Sequence, residues 1–202
     1  MQLLLLYEIL FAAADCTGHG VPGAMVSVIC NGSLNRSVKE FNLTDPGQIL
    51  DKTRELVLEE FEKSEEEVKD GMDIALCSLQ GHKLLYAGAN NLIWIIRNGT
   101  NTIEEIKANK QPIGNYRQPK PCTTHAIDLA KGDTFYIFSD GYVDQFVGER
   151  GKKFKSINFK ELLSSIQDET MERQRHIIDE RFEIWRAEAD QVDDVCVIGV
   201  RV

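Results

Sequence analysis

Three aspartate clusters, each set at an end of an apolar run, constrain this chain more than any other feature. Ile9–Ala14 leads into Asp15, followed at once by Cys16-Thr17-Gly18-His19-Gly20. Thr134–Phe138 leads into Ser139-Asp140-Gly141, with Asp144 close behind, and Asp193-Asp194 opens the last apolar run, Val195–Val200. A carboxylate at the lip of a buried strand is costly if left unpaired, and several brought together also repel one another. No run of Lys or Arg stands beside them in sequence. A hard divalent cation, which prefers oxygen ligands, is the remaining way to hold such groups together. The pattern predicts a metal site and, with it, metal-assisted hydrolysis.

The 202 residues suit one domain, residues 1–202, with 43% hydrophobic and 27% charged residues, the composition of a soluble globular protein. A net charge of -9 argues against nucleic acid or an anionic membrane surface as partner. Five cysteines stand at positions 16, 30, 77, 122 and 196. The number is odd and there is no Cys-x-x-Cys, so they read as small buried hydrophobes in a reducing, cytoplasmic setting. Residues 1–14 lack a basic leader, are interrupted by Glu8 and are too short to cross a bilayer, so they read as a buried strand.

Periodicity predicts a helix over Ala24–Phe41 with Met25, Val28, Ile29, Leu34 and Val38 inward. Asp45 is a helix cap with Pro46 at the first position, ahead of a helix whose inner face is Ile49, Thr53, Leu56, Val57 and Phe61. Ser64–Asp70 reads as a solvated acidic loop. Strands follow at Met72–Leu79, Lys83–Ala87 and Leu92–Arg97, then a hairpin through Asn98-Gly99 to Thr102–Lys107. Thr123–Leu129 and Thr134–Phe138 read as a strand pair around Lys131-Gly132-Asp133. Gly148–Lys155 is basic and reads as a mobile flap. Helices near Asn158–Gln167 and Met171–Ala187, the latter with Met171, Gln174, Ile178, Phe182 and Trp185 inward, precede a closing strand at Val195–Val202. This order predicts helices on the outer faces of two packed, mostly antiparallel sheets.

Gly18-His19-Gly20-Val21-Pro22-Gly23 matches the Gly-x-Gly-x-x-Gly pattern of dinucleotide sites. Asp15 beside a pyrophosphate, Pro22 among the needed donors and two following helices all argue against that reading. Taken singly, Asp15 could be a cap or a turn residue, Asp140 a turn residue, and Asp193-Asp194 a surface pair. Their shared position at strand ends argues for a joint role. His19 could donate a proton to a leaving group, contact phosphate or order the glycine turn. No covalent nucleophile is apparent.

The blocks Ala14–Ser27 (ADCTGHGVPGAMVS), Lys131–Phe146 (KGDTFYIFSDGYVDQF) and Val192–Val200 (VDDVCVIGV) resemble the three signature blocks of SpoIIE-type phosphatases. These are the bacterial branch of the metal-dependent protein serine/threonine phosphatases, the protein phosphatase 2C-like or PPM superfamily. The resemblance extends from about residue 8 to 202. It implies an α+β fold, an αββα sandwich, with two Mn²⁺ or Mg²⁺ ions. It further implies that Asp15 bridges both ions, that the main-chain carbonyl of Cys16 serves one of them, and that Asp140 and Asp193 complete the other. Asp144 matches an aspartate associated with a third metal whose usual partner falls near Ala89, and Asp194 is a neighbour outside the ligand set. The implied reaction is attack on phosphorus by a two-metal-activated water, with a phosphoserine or phosphothreonine of a signalling protein as substrate.

The resemblance also implies an N-terminal strand with a Gly-Asp motif that does not occur ahead of Asp15. The expectation is a domain lacking its usual first strand, taken from a chain with an upstream sensor or repeat domain, and able to pair as a homodimer through an exposed sheet edge. The rival is a phosphatase-fold module that binds phosphoproteins with little turnover. A hydrolase of small phosphoesters fits the motif set less well.

Overall fold

The computed structural model describes residues 8–18, 20–63, 70–100, 102–147 and 151–202. His19, and most of the predicted acidic loop at 64–70, lie outside the described residues. In chain order the elements are β1 (Ile9–Cys16), α1 (Gly20–Lys39), α2 (Pro46–Phe61), β2 (Gly71–Gln80), β3 (Lys83–Ala89), β4 (Ile93–Ile96), β5 (Ile103–Ile106), β6 (Ile113–Gly114), β7 (His125–Asp128), β8 (Thr134–Phe138), α3 (Gly141–Asp144), β9 (Phe146–Val147), β10 (Lys152–Lys153), α4 (Lys155–Ser165), α5 (Met171–Arg186) and β11 (Val197–Arg201).

One sheet runs β1-β2-β3-β7, with β6 also on β2, and the other runs β11-β8-β4-β5. Every pairing between strands is antiparallel. The predicted αββα sandwich is what forms. The central strands read as unbroken apolar runs because both of their faces are buried. In β8, Tyr136 and Phe138 pack with Phe159, Leu163 and Phe182 of the α4–α5 layer. The alternate residues Phe135 and Ile137 meet Ala75, Cys77 and Tyr86 of the other sheet. In β2, Ile74 and Leu76 face α1 and α2. These are the two faces expected of period-two alternation.

Asp45 caps α2 as read, its side chain accepting from the Gln48 N–H at 3.0 Å with Pro46 following. The predicted inner face of α2 is buried throughout, and that of α5 packs inward with Met171 and Trp185 partly buried. Four readings need correction. Of the predicted inner face of α1, Ile29, Leu34 and Val38 pack partly buried against the core, but Met25 and Val28 are 62% and 71% exposed, and the buried stripe is Gly23, Val26, Cys30, Ser33 and Ser37. The Ser37 and Thr53 hydroxyls pair at 3.1 Å between α1 and α2, so hydrophobicity alone does not mark the inner face. Next, β7 and β8 do not pair. β7 joins β3 and β8 joins β4 and β11, so the Lys131-Gly132-Asp133 turn carries the chain from one sheet to the other.

The third correction concerns the N-terminal strand. β1 is an edge strand, mostly half-buried, with Ala13 its fully covered residue. The fourth concerns the flap at 148–155. Residues 148–150 lie outside the described residues, but Lys152–Lys153 pair with Phe146–Val147, and Lys155 opens α4. The five cysteines are free thiols, with Cys30, Cys77 and Cys122 buried. No helix among the described residues is long and apolar enough to cross a membrane.

Candidate metal centre

Asp15 follows Ala13 along β1 on the face turned toward the second sheet, at the strand's last turn of the ladder. The ladder is closed just beyond it by the Thr17 N–H, which donates to the Gly71 carbonyl at 2.9 Å. Asp15 therefore lies within a strand and does not cap α1. Asp140 stands two residues past β8, at the start of α3, and its side chain makes no capping hydrogen bond. The same position read as a turn residue would have tied the carboxylate to local backbone; here it is left available.

Asp193 is brought alongside by the loop ahead of β11. The Ser139 hydroxyl donates to the Asp194 carbonyl and accepts from the Cys196 N–H, both at 2.9 Å, which clamps that loop onto the end of β8. Gly141 is required by the same contact: a Cβ there would lie 2.5 Å from the Asp194 carbonyl oxygen. The Asp193 carboxylate is fixed by the Asp194 N–H at 2.8 Å. Behind it, the buried Gln145 donates to the Asp190 carbonyl at 2.9 Å and accepts from the Val192 N–H at 3.0 Å.

These three elements bring one carboxylate oxygen each of Asp15, Asp140 and Asp193 to within 4.8 Å of one another. They line a cleft of about 400 Å³ together with Cys16, Thr17, Gly18, Asp73, Asn91 and Val192. Among the described residues no Lys or Arg lines it, and no ion pair involves any of the three carboxylates. Burial, then the charges of Asp193, Asp140, Asp194 and Asp73, push the Asp15 carboxyl up from 3.8 to about 6. Asp140 is likewise raised, by burial first and then by Asp144, Asp193 and Asp73. The donor set is all oxygen, acidic and electrostatically unsatisfied, and it fits a hard divalent cation.

The remaining sequence candidates are placed differently. Asp194 is exposed and stands outside the trio, contributing its charge. Asp144 pairs with Lys153 at 2.7 Å, so the basic stretch neutralises it locally; Lys153 also sits 5.6 Å from the centre of the Phe146 ring. Cys16 lines the cleft, and the structure says nothing of His19. Sequence reasoning missed Asp73 and Asn91. Asp73 is the third residue of β2, an acid near the start of an apolar run, and that was the available signal. Asn91 carries a buried side-chain nitrogen with no partner among the described residues.

The sandwich and its acidic cleft define a PP2C-like, PPM-fold domain. The profile of the family described as stage II sporulation protein E (SpoIIE) matches residues 7–202, and the chain belongs to that family. No curated protein matches the chain. Among solved structures it is similar to the SiaA-PP2C domain of Pseudomonas aeruginosa, with TM-score 0.83 and 26% identity over 96% of this chain and 75% of that one. It is similar to the PP2C phosphatase domain, with a fragment of the regulatory domain, of SpoIIE from Bacillus subtilis, with TM-score 0.73 and 17% identity over 96% of this chain and 55% of that one. The serine/threonine phosphatase PstP/Ppp of Mycobacterium tuberculosis follows with TM-score 0.63 and 15% identity, covering 96% and 88%. The last two likenesses establish the fold.

Proposed function

We propose that the chain is a metal-dependent protein serine/threonine phosphatase that removes phosphate from phosphoserine or phosphothreonine of a signalling protein. The observation that carries this reading is the convergence of the Asp15, Asp140 and Asp193 oxygens within 4.8 Å, with no ion pair to any of them among the described residues. Asp15 would be shared between two Mn²⁺ or Mg²⁺ ions, Asp140 and Asp193 would hold one of them, and the Cys16 carbonyl would serve the other. When bound, such ions lower the pKa of water and offset charge on phosphoryl oxygens. The chain's own part is to position and to exclude. The Ser139 clamp sets Asp193 against Asp140, and the β1–β2 ladder sets Asp15. Without cations the acidic lining repels a phosphate dianion, so substrate entry is itself made dependent on them.

The regulatory segment beside the SpoIIE phosphatase domain and the RsbU and RsbW domains of Rv1364c from Mycobacterium tuberculosis support placing this domain in a longer signalling chain. A homodimer formed through the β1 or β11 edge belongs to the same proposal. The test is hydrolysis of a phosphoserine peptide with Mn²⁺, with Mg²⁺ and with chelator. The expected result is turnover that needs the ion and is lost with chelator. Turnover indifferent to chelator would overturn the metal-dependent reading, and tight Mn²⁺ binding without turnover would favour a binding module.

A further inference from the structure

Asp73 has no task in the reading above, yet its placement is specific. It is the Cα partner of Asp15 across the β1–β2 ladder. Directly opposed residues share a face, so the two carboxylates stand side by side on the strands that frame the cleft, and Asp73 lines that cleft. Like charges directly opposite are an unfavourable cross-strand pair, and no base among the described residues pairs with either. The following residues of β2, Ile74 and Ala75, are ordinary core; the acid is confined to the position that faces Asp15.

Asp73 is also held. The Asn90 side-chain N–H donates to Asp73 Oδ1 at 2.8 Å. Asn90 sits at φ 58, in the left-handed region that costs a side-chain-bearing residue energy, and its N–H is anchored on the Asn109 carbonyl at 2.9 Å. The charge of Asp73 is felt by both Asp15 and Asp140. Its oxygens nevertheless fall outside the group that lies within 4.8 Å, which comprises Asp15, Asp140 and Asp193 alone.

We propose that Asp73, oriented by Asn90, is a positioning residue that sets the affinity of the cleft for divalent cations without itself being an inner ligand. It acts through its charge and by accepting hydrogen bonds from the hydration water of an ion, as outer partners of metal sites do. This inference rests on the metal reading under "Proposed function". It accounts for an otherwise unfavourable carboxylate pair and for the backbone conformation of Asn90 by one role.

The experiment is isothermal titration of Mn²⁺ into the wild type, Asp73→Asn, Asn90→Ala and Glu59→Gln, the last an exposed charge on α2. Asp73→Asn keeps an acceptor for Asn90 and removes the charge; Asn90→Ala keeps the charge and removes its orientation. Metal affinity should fall roughly 10–100-fold in Asp73→Asn, several-fold in Asn90→Ala, and stay unchanged in Glu59→Gln. The metal-free melting temperature of Asp73→Asn should equal or exceed that of the wild type, because a repulsive pair is gone. Wild-type binding with Asp73→Asn within twofold of it would overturn this inference alone. Equal weakening in Glu59→Gln would also overturn it, as an effect of net charge. No Mn²⁺ binding by the wild type would overturn the metal reading and this inference together.

Discussion

Strand β8 carries an aspartate at each end, and the two could hardly be treated more differently. Asp133, just before the strand, is 2% exposed and fully partnered. It accepts from the Arg97 guanidinium, the Asn98 N–H and the Ala130 N–H, each at 2.9 Å. Burial alone would raise its carboxyl, but the Ala130 and Asn98 N–H groups and Arg97 more than offset that and hold it below the ordinary range. Asp140, two residues past the strand, has no side-chain cap bond and faces Asp15 and Asp193, and its carboxyl is raised. One strand thus separates a carboxylate whose partners all come from the fold from one left without a side-chain cap or, among the described residues, an ion pair; under the proposed function the first end is structural and the second chemical.

The largest expected effect breaks the chemical end. Asp140→Asn should lower metal-dependent phosphatase activity by about 100-fold or more, at or beyond the upper range for disturbed metal sites. Its metal-free unfolding midpoint in urea should not fall, since one of three repelling charges is removed. A clear loss of metal-free stability would show that Asp140 is structural like Asp133. The reverse experiment is Asp133→Ala, which strands two backbone donors and Arg97. It should cost roughly 3 kcal/mol in urea unfolding, while the folded protein keeps its Mn²⁺ affinity. A Kd changed tenfold would mean that the two ends are coupled through β8.

Asp140, and its convergence with Asp15 and Asp193, could be anticipated because strand-end acids beside glycines are conspicuous against apolar runs. What was hidden depends on register. Asp73 is an ordinary acid near the start of a strand until the β1–β2 pairing sets it opposite Asp15. The turn at Lys131–Asp133 looks like a hairpin because its brevity is visible and its change of sheet is not. The inner face of α1 was only partly legible by hydrophobic periodicity because Gly23, Ser33 and Ser37 are among its buried residues. Gln145 escaped for the same reason: a buried glutamine that holds a loop by its backbone is indistinguishable in sequence from a surface one.

The smallest expected effect sharpens the contrast through pH. The Asp15 carboxyl is raised from 3.8 to about 6 in the folded chain, so the folded state binds its proton more tightly than the unfolded state. Its contribution to metal-free stability is therefore unfavourable above pH 6 and is relieved as pH falls from about 6 toward 3.8. Asp133 has the opposite sign: its contribution is present above the ordinary carboxylate pKa and is lost as pH falls through its lowered value. The difference in unfolding free energy between wild type and Asp15→Asn, measured without metal, should shrink on acidification through that window. A difference independent of pH between 7 and 4 would show that Asp15 is not held in its raised state.

Two of the three cleft carboxylates come from segments that border the outermost strands of two different sheets: Asp15 lies in β1, and Asp193 just ahead of β11, while Asp140 follows the interior strand β8. Edge strands have a neighbour on one side only and are the first parts of a sandwich to breathe. A cation bridging these carboxylates, as proposed above, would therefore be a staple between edge strands of the two sheets. Its occupancy would register first in how often those strands fray, well before it registers in the cooperative melting of the core.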